Sequence, residues 1–162
     1  MRNLEVKARD PDPSATLRAC RRLGAEDRGI LRQRDTYFLV ANGRLKLRED
    51  LDAGSAELIG YERPDGEDVR ESRYERVPVD RRLGGLLADR LGVAAVVVKA
   101  RRLFLYEHVR IHVDEVQGLG GFVELEAVLP DASEESLAAV MDALGFDERE
   151  RIAGSYLELS RS

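Results

Sequence analysis

Along most of this chain apolar and polar positions alternate with a period of two. Residues 3–9, NLEVKAR, set Leu4, Val6 and Ala8 against Asn3, Glu5, Lys7 and Arg9. That pattern predicts a strand with one apolar and one polar face. The runs 30–41, 44–50, 56–63, 69–79, 96–107, 108–116 and 122–129 also read as strands. Asn42-Gly43 between two such runs is a hairpin signal, and Pro64-Asp65-Gly66 predicts a turn. Elsewhere the period lengthens to that of a helix. Asp12-Pro13 opens the first helix and Gly24 stops it. A second is expected over 80–91, with Leu83, Leu86, Leu87 and Leu91 on one face and Gly92 as its stop. Ser133 or Asp131 caps a third, carrying Leu137, Val140, Met141 and Leu144 and ended by Gly145. A final short helix carries Ile152, Tyr156 and Leu159. No repeat, low-complexity stretch or linker interrupts the pattern. The reading is one α+β domain over 1–162 with about eight strands, mostly antiparallel.

The polar faces of these strands are unusual. Arg44, Lys46 and Arg48 share a face, as do Tyr61 and Arg63, Lys99 and Arg101, Arg110, His112 and Asp114, and Glu124 and Glu126. An open sheet with a solvated outer face would alternate in the same way. Two features favour a closed sheet with its charges inside. The charges are segregated by strand, whereas a solvated face mixes signs because like charges on neighbouring strands repel. At least three helices also need an apolar surface, which the outside of a barrel provides. Such a lumen of Arg and Lys would hold an anion. Glu5, Asp114, Glu124 and Glu126 are the ligands a hard divalent cation takes. Cations for phosphates beside carboxylates for Mg²⁺ is a general recipe for phosphoryl chemistry.

Composition narrows this further. The formal net charge of −5 weighs against nucleic acid as a partner. No apolar run reaches the roughly 20 residues that span a membrane. The opening MRNLEVKARD lacks a signal-peptide core, so the cytoplasm is the expected compartment. Cys20 is the only cysteine, which leaves no internal disulfide and no cysteine-based zinc site; its place on an apolar helical stripe marks it as a small core residue. His108 and His112 are four apart, but on a strand that spacing spans about 13 Å, too far to chelate one metal together. QGLGG lacks the Lys-Ser/Thr of a P-loop and precedes a strand, so it reads as a turn. Of the 26 Lys and Arg residues only Lys7, Lys46 and Lys99 are lysines. In a chain that otherwise uses Arg, three compact ammonium groups call for an explanation.

The motifs N-x-E-x-K at 3–7, QRDTYF at 33–38, GRLKLRE at 43–49, YER at 61–63, VKARR at 98–102, RIHVDEV at 110–116 and GFVELE at 121–126 stand in one order along the chain. Together they resemble the CYTH superfamily, the group of class IV adenylyl cyclases and thiamine triphosphatases, and most closely its cyclase-like branch. The resemblance implies the triphosphate-tunnel fold, a closed antiparallel eight-stranded β-barrel with helices packed outside. It implies that Lys7, Lys46, Arg48, Arg63, Lys99, Arg101 and Arg110 bind a triphosphate. It implies that Glu5, Glu124 and Glu126, with Asp114 beside them, hold Mg²⁺ or Mn²⁺. All three lysines fall on these positions. The chain departs from the signature E-x-E-x-K at Asn3, where the first Glu stands. A neutral amide ligates weakly, so one metal or two stays open, and a tripolyphosphatase is disfavoured.

The expected function is therefore that of a metal-dependent enzyme on a small-molecule triphosphate, foremost a class IV adenylyl cyclase making 3′,5′-cyclic AMP and pyrophosphate. A triphosphatase acting on thiamine triphosphate, inorganic triphosphate or a nucleotide is the alternative. A polyphosphate- or nucleotide-binding protein without catalysis is a third. No membrane or nucleic-acid partner is expected, and the chain is read as a monomer or homodimer. No side chain stands out as a general base.

Overall fold

A computed structural model describes residues 1–64 and 66–161. The expected Pro64-Asp65-Gly66 turn includes Asp65, which lies outside that set. Eight strands form: β1 (Arg2–Arg9), β2 (Glu26–Phe38), β3 (Arg44–Asp50), β4 (Ala56–Glu62), β5 (Arg70–Val79), β6 (Val93–Tyr106), β7 (Val109–Val116) and β8 (Gly120–Leu129). They close into an antiparallel barrel in the order β1-β5-β4-β3-β2-β6-β7-β8, and β8 returns to β1. Closure removes both sheet edges and rules out the open-sheet alternative.

Register decides which face of each strand looks inward. Lys7 lies opposite Glu124 and Glu5 opposite Glu126 across β1–β8. His112 and Arg110 face the same two glutamates across β7–β8. Arg101 is paired with Asp114, Gln33 with Lys99, and Asp35 with Arg48. The charged positions thus form one continuous lining. Their apolar neighbours face out. Val6, Ala8, Phe104, Ile111, Val123 and Leu125 form the main core with residues of the helices outside the barrel.

Those helices are α1 (Pro13–Leu23), α2 (Leu83–Leu91), α3 (Glu134–Ala143) and α4 (Tyr156–Leu159). Helix α1 starts where expected: the Asp12 carboxylate accepts from Ala15 N–H at 3.1 Å, and Gly24 ends it in the left-handed region. Its Cys20 is buried in the core beside Leu137 and Val140 of α3. Ser133 caps α3 through Ser136 N–H at 3.0 Å. Glycine is required at Gly121, since a Cβ there would stand 2.4 Å from the Asp10 carbonyl oxygen.

Three local expectations change. Helix α2 begins at Leu83 rather than 80, because the Asp80 carboxylate takes Arg82 N–H in a turn before it. Its leucine stripe is only partly covered: Leu87 is half-buried against the cluster of Phe38, Leu47 and Ala56, Leu83 is half-buried, and Leu86 is 55% exposed. The β2–β3 connection runs over Leu39–Gly43 instead of turning tightly on Asn42-Gly43. Ile152 lies outside the last helix. Its N–H bonds to the Lys7 carbonyl, so the chain runs beside β1 before α4 forms. Ile152, Tyr156 and Leu157 then pack against Val97, Val116 and Phe122, which share the inward side of their strands with the charges. The C-terminal segment so fills one part of the lumen with apolar groups.

Candidate active site

The lumen has two charged walls. On one, Asp35 of β2 is fully buried and gathers three cations. Arg48 of β3 grips it with both arms, Nε to Oδ1 at 2.8 Å and Nη2 to Oδ2 at 2.7 Å. Lys46 Nζ donates to Oδ2 at 2.9 Å and Lys99 Nζ of β6 at 3.2 Å. Burial alone would raise the Asp35 carboxyl, but Arg48, Lys46 and Lys99 hold it well below the usual range. Burial and the neighbouring Arg48 charge lower the Lys46 ammonium to about 8. Lys99 is pulled well below its ordinary value by burial and by Arg101. Three cations on one carboxylate leave positive charge that the wall itself does not neutralise.

The opposite wall comes from β1, β7 and β8. Arg101 holds Asp114 in a bidentate pair at 2.7 and 2.6 Å and reaches Glu124 Oε2 at 2.9 Å. The Tyr156 hydroxyl donates to the same Asp114 at 2.6 Å. Against burial, Arg101 brings the Asp114 carboxyl down to about 2. Lys7 Nζ is 3.7 Å from Glu124 and 3.8 Å from the centre of the Tyr156 ring. Against burial, Lys7 and Arg101 hold Glu124 ionised, well below its ordinary value. Glu5 is hydrogen-bonded to Arg63, yet burial and the Glu124 charge leave its carboxyl raised. Arg110 stands 3.8 Å from Glu126 at a half-exposed position.

His112, Glu124 and Glu126 bring one ligating atom each within 4.8 Å of one another. Burial, then Arg101, lowers the His112 imidazole, which favours its neutral form. Among the described residues its Nδ1 has no hydrogen-bond partner, and neither does the buried Oδ1 of Asn3. Charged oxygens beside unpaired neutral donors fit a divalent cation.

Between the walls lies a cavity of about 90 Å³. All seven cations expected to bind triphosphate line it: Lys7, Lys46, Arg48, Arg63, Lys99, Arg101 and Arg110. So do Glu5, Glu124 and Glu126. A groove of about 670 Å³ adjoins it at Tyr37 and Arg63, with Phe38, Leu39, Val40, Leu45, Ala94 and Leu157 along its sides.

The CYTH domain pattern matches residues 1–156. The chain belongs to the CYTH family. A curated relative in Methanocaldococcus jannaschii, named as a putative adenylate cyclase, is 25% identical, with 98% of each chain covered. The solved PH1012 protein of Pyrococcus horikoshii superposes with a TM-score of 0.84 at 26% identity, over 97% of this chain and 98% of that one. A Hippeastrum protein, described as a putative adenylyl cyclase with a dominant triphosphatase activity, shares the fold with a TM-score of 0.71 at 17% identity, over 98% and 95% of the two chains.

Within this CYTH domain the four expected metal ligands are not equivalent. Glu124 and Glu126 come together. Glu5 faces them across β1–β8 but is drawn to Arg63. Asp114 has both oxygens taken by Arg101 and Tyr156, which makes it a positioner of Arg101. Sequence reasoning missed Asp35 and Tyr156 as members of the lining, and His112 as a neighbour of Glu124 and Glu126. Asp35 carries the signal that would have found it, a lone acid in register with Arg48 on a strand between basic strands. Tyr156 looked like a core aromatic on a short helix. His112 was correctly placed on the polar face with Arg110 and Asp114, but pairing it with His108 hid its nearer neighbours on β8. His108 stands in the β6–β7 turn at φ 62°, on the protein surface.

Proposed function

We propose that this CYTH domain is a divalent-metal-dependent enzyme acting on a triphosphate, and that its reaction is the class IV adenylyl cyclase one, ATP to 3′,5′-cyclic AMP and pyrophosphate. The observation that carries the reading is the convergence of Lys46, Arg48 and Lys99 on the single carboxylate of Asp35, across a closed lumen from Glu124 and Glu126. Such a wall is made to trade part of its hold on Asp35 for anionic oxygens. The name of the Methanocaldococcus relative supports the cyclase over other triphosphate chemistry.

In this reading Lys46, Arg48 and Lys99 take phosphate oxygens on one side, and Lys7, Arg63, Arg101 and Arg110 take them on the other. Asp35 and Asp114 keep the basic side chains extended toward the substrate. The groove beside Tyr37 and Arg63, lined by apolar residues and by charged ones such as Arg44, Glu62 and Arg73, receives the nucleoside. A divalent cation held by Glu124 and Glu126, with Glu5 close by, would lower the pKa of the ribose 3′-hydroxyl and stabilise charge on the phosphates. The 3′-hydroxyl gives its proton to solvent, its oxygen attacks the α-phosphorus, and the bond to the bridging oxygen of the leaving pyrophosphate breaks. The fixed cations of the lumen stabilise the charge that grows on that pyrophosphate.

The test is incubation with ATP and Mg²⁺ or Mn²⁺ followed by product identification. Cyclic AMP with pyrophosphate is expected. Orthophosphate as the product would move the assignment to the triphosphatase, and unchanged ATP would leave a binding protein.

A further inference from the structure

We propose that His112 is itself a metal ligand, and that its Nδ1 joins Glu124 and Glu126 in a mixed nitrogen–oxygen site that takes a first-row transition dication in preference to Mg²⁺. The inference rests on the metal-dependent reading above and goes beyond it in naming a nitrogen donor and the class of ion.

Three observations carry it. His112 is 5% exposed, and its Nδ1 is buried with no hydrogen-bond partner among the described residues. Buried polar side-chain atoms are nearly always paired, and an orphan facing charged oxygens points to a group that binds there. In register, His112 stands beside the apolar Leu103 on β6 and beside Glu124 on β8. Its distances to carboxylate oxygens are 3.8 Å to Glu124 and 4.0 Å to Glu126. Both are too long for a hydrogen bond. Two ligands each about 2.1 Å from one cation stand about 3 to 4.2 Å apart, so both separations suit a shared ion.

The surroundings are consistent with such an ion. Arg101 bonds to Glu124 at 2.9 Å, Lys7 lies 3.7 Å from it, and Arg110 lies 3.8 Å from Glu126. These cations leave lone pairs on both glutamates, since each carboxylate has about four acceptor sites. Mg²⁺ is hard, keeps oxygen ligands and sheds water reluctantly, whereas an imidazole nitrogen gains more from a transition ion. On β1, two residues before Glu5, the lumen is lined by the neutral amide of Asn3. That position therefore supplies no charged oxygen, while a nitrogen donor stands unpaired.

The probe is Mn²⁺ with tripolyphosphate on untagged protein, read by electron spin echo envelope modulation, which detects a directly bound ¹⁴N. The chain has only two histidines, so His108→Gln leaves His112 as the sole imidazole. Nitrogen modulation is expected in wild type and in His108→Gln. It is expected to vanish in His112→Gln while Mn²⁺ still binds, about tenfold or more weakly. Mg²⁺ affinity, measured by competition, should change less. If His112→Gln does not fold, the spectrum of His108→Gln decides alone. Bound Mn²⁺ without nitrogen modulation overturns the inference and leaves the metal-dependent reading standing. Modulation that survives in His112→Gln also overturns it. Wild-type protein that binds no Mn²⁺ with tripolyphosphate overturns both.

Discussion

The two walls of the lumen are built from the same residue types and are biased in opposite directions. On the β2–β3–β6 wall, Lys46, Arg48 and Lys99 share the carboxylate of Asp35. On the β1–β7–β8 wall, Glu124, Glu126 and the neutral His112 cluster, with Arg101 drawn aside by Asp114. A buried charge is tolerated when it is paired and costly when it is not. Each wall is therefore paired well enough to fold and imperfectly enough to bind. The surplus on the first is positive and suits phosphate oxygens. The donors on the second suit a metal. The difference teaches that the partial pairing within each wall, rather than the net charge of the lumen, sets what it binds.

The comparison breaks most completely at Glu126. Glu126→Gln keeps shape and removes charge from the acidic wall, so metal-dependent turnover should fall by more than about a hundredfold. The thermal midpoint without metal should be unchanged or higher. Full activity in that variant, or in wild type with excess chelator, would show that this wall holds no catalytic metal.

Asp35→Asn attacks the other wall. It leaves three buried cations facing one another, and breaking a buried ion network by removing one partner costs about 3–5 kcal/mol. Calorimetry should show a lower midpoint without ligand and a larger gain on adding tripolyphosphate than in wild type, because the anion then replaces the lost carboxylate. A ligand-induced gain no larger than that of wild type would mean that Asp35 does not stand in for the substrate.

Titration gives a gentler test of the same wall. Lys46 loses its proton near pH 8 in the free protein, against 10.5 for an unperturbed lysine. Between those values the unfolded chain binds the extra proton, so this group makes the free protein more stable as pH rises. Ligand binding has the opposite sign: tripolyphosphate must restore the proton, and its affinity should fall above pH 8 by up to about tenfold per unit. In Lys46→Arg the fall should be shallower, since a guanidinium stays charged while Lys99, whose ammonium is also lowered, still titrates. An affinity flat from pH 7 to 10 in wild type would contradict the assignment.

Much of this arrangement is legible in the chain. Alternation in NLEVKAR, RLKLR and FVELEA identifies which residues look inward, because a strand has only two faces. The ends of α1 and α3 follow from Asp12, Gly24 and Ser133, whose capping chemistry is local. What escapes is set by contacts between distant segments. Asp35 meets Lys99 across 64 positions and Tyr156 meets Asp114 across 42, and no periodicity reports such pairs. The partly uncovered leucines of α2 show the converse limit. A helical stripe signals a face able to be buried, while the amount of barrel beneath it is a tertiary fact. Ile152 was misread for a similar reason: its apolar spacing with Tyr156 fits a helix, but the backbone bond to Lys7 holds it extended.

The claim on which all of this depends is that the three lysines face a triphosphate. It is tested most directly by thermal midpoints of wild type, Lys7→Ala, Lys46→Ala and Lys99→Ala, measured without ligand and with tripolyphosphate and Mn²⁺. Wild type should gain several degrees by mass action, about 2.7 kcal/mol at a hundredfold excess over Kd. Each variant should gain clearly less, while the midpoints of Lys46→Ala and Lys99→Ala without ligand equal or exceed that of wild type because crowded positive charge has been relieved. Equal ligand-induced gains in all four proteins would contradict the account.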